Sequence, residues 1–86
     1  MYEVVLSREA ERAYAAADVP LARKLAKCLA RLEDDPRSGN NVKRLTGPLS
    51  GLHRYRVGDA RVVYRIDEEA KRVAVLVIAH RRDVYD

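Results

Sequence analysis

The chain has 86 residues, with 17 Lys and Arg against 13 Asp and Glu, a net charge of +4 and one cysteine. That length suits one domain, residues 1–86, which buries enough surface to fold unaided, and the lone Cys28 excludes an internal disulfide. No apolar run approaches the ~18 residues of a membrane span and no secretory hydrophobic segment opens the chain, so a cytoplasmic protein without membrane contact is expected.

In chain order, Tyr2, Val4 and Leu6 alternate with Glu3 and Val5, which predicts a short strand with one core face. Ser7 ends it and is placed to cap a helix from Arg8 to Ala17, whose Ala10, Ala13, Tyr14 and Ala17 form an apolar stripe. Asp18 caps a second helix, with Pro20 in its first turn and Leu21, Leu25, Cys28, Leu29 and Leu32 as its buried stripe. Cys28 therefore reads as a small core hydrophobe, and Arg23, Lys24, Lys27 and Arg31 on the opposite side as a solvated face. Pro36 stops this helix near Asp34 and Asp35. Gly39, Asn40, Asn41, Gly47 and Pro48 then mark a loop from Arg37 to Ser50, tacked down by Val42 and Leu45, which delivers Lys43 and Arg44.

Leu52–Val57 and Ala60–Asp67 read as strands joined at Gly58-Asp59. Alternation puts Arg54 and Arg56, and then Arg61, Val63 and Arg65, on one face, with Tyr55, Val57, Val62, Tyr64 and Ile66 on the other. After a turn at Glu68–Lys71, Arg72 to Ala79 is apolar on both sides and reads as a central strand. The expected fold is α+β: a small antiparallel sheet in the order strand-helix-helix-strand-strand-strand, with two helices packed on one face. Tyr55, Val57, Val62, Tyr64, Ile66, Leu76 and Ile78 are expected under the helices. Arg54, Arg56, Arg61, Arg65, Val75, Val77 and Arg81 are expected on the open face.

Charge distribution points the same way. Residues 1–42 hold seven basic and seven acidic side chains, while residues 43–86 hold ten and six, so the excess lies with the arginine strands and fits a polyanion such as nucleic acid. Other chemistries lack their parts. His53 and His80 have no Cys or carboxylate at metal-ligand spacing, the acidic clusters share no face, and no Gly-rich loop joins a strand to a helix. Arginine and tyrosine remain: guanidinium groups grip phosphate oxygens in pairs, and Tyr stacks on a base or offers its hydroxyl.

The stretches YEVVLSREAERAY, RLTGPLSGLHRYRVGDARVVYRID and VLVIAHRRDVY resemble the RelE toxins of bacterial and archaeal toxin–antitoxin systems, within the RelE/ParE superfamily. The resemblance implies a ribosome-dependent messenger endoribonuclease working in the A site without metal or cofactor, the 2′-hydroxyl of the message being the nucleophile. It assigns Arg54, Arg56, Arg61, Arg81 and Tyr85 to catalysis. Lys43, Arg44, Arg65 and Arg82, basic residues expected near them, are expected to bind RNA. The implied partners are the ribosome, messenger RNA and a cognate antitoxin, RelB-like or of another type, with operator DNA reached only through the antitoxin complex. The best-described members carry lysine where Arg54 and Arg56 stand. A lysine can lose its proton and act as a base, which arginine does not, leaving Tyr85 or substrate positioning alone to fill that role. A ParE-like gyrase inhibitor and a catalytically degenerate antitoxin-binding homologue are the alternatives.

Overall fold

A computed structural model describes residues 1–80. Strand β1 (Glu3–Leu6) leads into helix α1 (Arg8–Ala16) and helix α2 (Val19–Asp34), followed by β2 (Val42–Arg44), a 3₁₀ turn at Gly47–Leu49, β3 (Leu52–Val57), β4 (Ala60–Asp67) and β5 (Arg72–His80). Both expected caps form. Ser7 Oγ accepts from Ala10 N at 3.0 Å and Asp18 Oδ1 accepts from Leu21 N at 2.9 Å, each supplying one of the helix-start N–H groups with a partner. Among the described residues no helix is long and apolar enough to cross a membrane.

The α+β fold stands, with a sheet that differs from expectation in two respects. Its order is β1-β5-β4-β3-β2, five strands rather than four, because Val42–Arg44 pairs antiparallel with Tyr55–His53 at the edge. It is also mixed rather than wholly antiparallel, since β1 runs parallel to β5 with Glu3 opposite Arg72 and Leu6 opposite Val75. The two connecting helices let the chain cross over to the far side of β5.

One apolar core joins helices and sheet. Ala10, Leu25, Cys28 and Leu32 meet Tyr55, Val57, Ala60, Val62, Tyr64, Val73, Val75 and Ile78, with Tyr2, Val4, Leu6, Tyr14 and Leu21 packed at its margin. Burial pushes the Cys28 thiol up to about 12, so the sulfur is a neutral core atom. The Tyr64 hydroxyl donates to Pro36 O at 2.6 Å, pinning the segment after α2 to the sheet.

A bulge in β5 corrects one face assignment. Val63 pairs with Val77 and Tyr64 with Val75, so Leu76 has no partner in β4 and the alternation reverses there. Val75 is fully buried under the helices, not on the open face, and Leu76 is not among the residues forming the core. Ser7 closes this irregularity, its N–H donating to Val75 O at 2.9 Å and its Oγ to Leu76 O at 2.7 Å.

Candidate functional site

The β3–β4 hairpin carries the candidate site, and its cross-strand register sets the spacing. Arg56 lies directly opposite Arg61, Arg54 opposite Val63, and Leu52 opposite Arg65, all on the face away from the helices. The short β2 extends that face, with Lys43 opposite Arg54. On the other flank β5 contributes Ala74, Val77 and Ala79, opposite Arg65, Val63 and Arg61. The open face is therefore cationic over β2, β3 and β4 and apolar over β5, where Val5 of β1 adds to it opposite Ala74.

Arg54 is half-buried, and its pKa is lowered first by burial and then by Arg56 and Arg61. Guanidinium stays charged at any working pH, so the direction records a cation partly withdrawn from water and held beside two others. Like charges directly opposite on neighbouring strands cost stability. Among the described residues no ion pair engages Arg54 or Arg56, in contrast to the arginines at the far end of the sheet. There Arg37 bonds Glu68 at 2.8 Å, with Tyr2 OH at 2.9 Å, and Arg72 bonds Glu3 at 3.0 Å. The Lys71 ammonium first, then the Tyr2 hydroxyl and Arg37, hold the Glu68 carboxyl down at about 2. Arginine is thus engaged in ion pairs at one end of the sheet, while at the other Arg54 and Arg56 have none among the described residues.

The structure brings Arg54, Arg56, Arg61, Arg65 and Lys43 to one face. It does not bring Arg44 there. Arg44 stands opposite His53, which stands opposite Tyr64, so Arg44 lies on the helix side. Arg81, Arg82 and Tyr85 lie outside the described residues. Tyr2, Tyr14, Tyr55 and Tyr64 all pack on the helix side, so among the described residues the open face carries no aromatic ring and any base stacking there falls to guanidinium groups. A cleft of about 450 Å³ lined by Ala13, Ala17, Leu21, Ala60, Ile78 and His80 is on the helix side as well, away from the arginines. Among the described residues no cluster of three or more His, Cys, Asp and Glu is arranged to hold a metal ion.

His53, opposite Tyr64, lies on the helix side of the sheet. Its ring stacks on Tyr64 with centroids 5.6 Å apart, and Nδ1 is buried with no hydrogen-bond partner among the described residues. Burial, then Arg37 and Arg44, lower its pKa below the ordinary 6.5. The folded state therefore refuses a proton that the unfolded chain accepts, so stability is full above about 6.5 and declines as the pH falls below it. Urea midpoints should drop between pH 7.5 and pH 5.5 for the wild type and drop less for His53→Gln; equal drops would show that His53 is not the cause.

Comparison with known proteins agrees with the α+β fold. The family model described as the ParE toxin of type II toxin–antitoxin systems, parDE, matches residues 4–85. The chain is 48% identical over 50 residues to Toxin RelE of Mycobacterium tuberculosis, a match covering 54% of this chain and 52% of that protein. The matched stretch thus spans about half the length of that curated relative. The fold is similar to a chain of the RelBE2 toxin–antitoxin complex of M. tuberculosis, at a TM-score of 0.82 and 27% identity over 93% of this chain and 98% of that one. It is similar to the same extent, TM-score 0.82, to a chain of the archaeal RelE–RelB complex of Pyrococcus horikoshii, at 25% identity over 96% and 98% of the two chains.

Proposed function

The chain belongs to the ParE toxin family of type II toxin–antitoxin systems, within the RelE/ParE superfamily, and from that premise we propose that it is a ribosome-dependent messenger endoribonuclease. The observation that carries this reading is the convergence of Arg54, Arg56 and Arg61 on a face that no helix covers among the described residues. In the proposed reaction the 2′-hydroxyl of one nucleotide attacks the adjacent phosphorus, its proton leaves to a base, and the bond from phosphorus to the 5′-oxygen breaks as that oxygen gains a proton. The products are a 2′,3′-cyclic phosphate and a 5′-hydroxyl. The guanidinium groups hold the phosphate in line and stabilise the additional negative charge as the phosphorus becomes five-coordinate. With arginine at 54 and 56, the chain's contribution there is electrostatic. Tyr85 and Arg81 are the proposed positioning and proton-transfer groups, and Lys43, Arg65 and Arg82 are proposed to grip the flanking message.

The solved relatives named above are complexes with RelB, which supports a protein antitoxin as partner here. An acidic, amphipathic segment of that antitoxin would cover Val5, Val77 and the adjoining arginines together. Val75, being buried, takes no part. A second reading, inhibition of DNA gyrase, is favoured by one observation, the ParE description of the matching family. Messenger 5′ ends mapped in a reconstituted translation reaction, with and without ribosomes, separate the two. New 5′ ends within the ribosomal A-site codon, present only with ribosomes, are the expected result. Intact messenger together with gyrase-dependent DNA breaks would replace this reading with the second.

A further inference from the structure

We propose that Ser7 is a positioning residue for the messenger-cleaving site: its hydroxyl holds the bulge at Leu76, and the bulge decides which side chains of β5 stand beside the arginines. This inference rests on the messenger-cleaving reading above. Carbonyls of successive residues in a regular strand point to opposite edges, yet Ser7 engages two in a row, its N–H donating to Val75 O at 2.9 Å and its Oγ to Leu76 O at 2.7 Å. Both carbonyls therefore face the end of β1. On the other edge of β5 the ladder skips Leu76, passing from Tyr64 opposite Val75 to Val63 opposite Val77. The same Ser7 oxygen accepts from Ala10 N at 3.0 Å, so one hydroxyl fastens the start of α1 to the irregular point of β5.

Without the bulge the ladder would run differently. From Tyr64 opposite Val75, an unbroken register would set Val63 against Leu76, Val62 against Val77 and Arg61 against Ile78. A slip of one residue moves every later side chain to the other face. Val77 and Ala79 would pass under the helices, and Leu76, Ile78 and His80 would come to the arginine face. The bulge gives the reverse, with Ala79 opposite Arg61, Val77 opposite Val63, and Ile78 buried opposite Val62. A methyl group beside Arg61 leaves the approach to Arg54, Arg56 and Arg61 open to a phosphate, whereas the branched chain of isoleucine would crowd it. Apolar burial does not choose between the registers, because Val77 fills an interior position about as well as Leu76 or Ile78. Ser7 supplies the choice, through two hydrogen bonds that require Leu76 to be the residue skipped. Arg81 and Tyr85 follow β5 in the sequence, so the same point sets the face from which the chain leaves His80.

The test measures kcat and KM for messenger cleavage on programmed ribosomes with Ser7→Ala, Ser7→Asp and Ser7→Thr, at a temperature where circular dichroism shows each variant folded. Asp18→Ala, which removes the cap of α2 and leaves the bulge intact, is the control for lost helix stability. Ser7→Asp separates the two roles of the hydroxyl, since a carboxylate caps α1 and has no proton for Leu76. The expected result is a fall in kcat on the order of 10–100-fold for Ser7→Ala and Ser7→Asp with KM little changed, as for groups displaced from a reacting phosphate. Ser7→Thr, which keeps the hydroxyl, and Asp18→Ala should cleave as the wild type does. In the two impaired variants the nuclear Overhauser contact between Val63 and Val77 should give way to one between Val63 and Leu76. A wild-type kcat for Ser7→Asp overturns the positioning role. So does an equal loss of kcat in Asp18→Ala, which would trace the effect to helix stability. A wild type that leaves messenger intact on the ribosome removes the endoribonuclease reading, and the Val63–Val77 contact then decides the bulge by itself: lost in Ser7→Asp, it upholds control of the face by Ser7, and retained there, it overturns it.

Discussion

Arg54→Ala is expected to lower messenger cleavage on the ribosome by about 10²–10³-fold, the loss typical when one fixed donor to a developing oxyanion is removed. The same change should leave the melting temperature unchanged or raise it. Arg54 is half-buried among Arg56 and Arg61 and engages no carboxylate among the described residues, so its removal relieves repulsion and desolvation together. A residue retained for the fold would give the opposite stability result. Arg54→Lys provides a second reading of the same position. The field of Arg56 and Arg61 and partial burial would push a lysine ammonium there down, toward the range where it exchanges a proton. The lysine variant should therefore keep much of the activity and add a pH-dependent limb to the rate that the wild type lacks. Wild-type cleavage by Arg54→Ala would remove this cluster from the reaction.

The second large effect is on stability. Ser7→Ala should destabilise the protein by about 2–3 kcal/mol, read as a shift of the urea midpoint without a change in slope. Two separate losses add. The Ala10 N–H at the start of α1 loses its cap, at roughly 1 kcal/mol, and the Leu76 carbonyl at the bulge loses the hydroxyl that satisfies it, at roughly 1–2 kcal/mol more. Ser7→Asp separates them, because its carboxylate still caps the helix but has no proton to give to Leu76. It should recover only the first part. A loss no greater than 1 kcal/mol for Ser7→Ala would show that the bulge carbonyl finds another donor.

Much of this architecture was legible because the signals were local. The caps at Ser7 and Asp18 are short-range hydrogen bonds, and Leu52–Val57 and Ala60–Asp67 alternate cleanly about Gly58-Asp59, so both strands and the shared face of Arg54, Arg56, Arg61 and Arg65 could be read from residue parity. What escaped was decided between distant segments. Val42–Arg44 is too short to alternate, and only its pairing with β3 makes it a strand and sends Lys43 and Arg44 to opposite faces. In RVAVLVIA either register buries an apolar side chain, so parity held no information about the bulge, and Val75 was assigned to the wrong face.

The parallel pairing of β1 with β5 also has a consequence for the order of folding. Ser7 and Leu76, which it brings together, are 69 positions apart, whereas the β3–β4 hairpin that carries the arginines closes over a two-residue turn. Closing so long a loop is entropically costly and rewards the chain only at the last step, so the hairpin forms early and the N-terminal strand docks late. On a translating ribosome, β1 pairing and the Ser7–Leu76 bond have to wait for β5 to emerge, whereas the α1 cap, being local, does not. The arginine hairpin exists before the platform behind it does, and a nascent chain acquires its finished face only after nearly all of the residues described here have been synthesised.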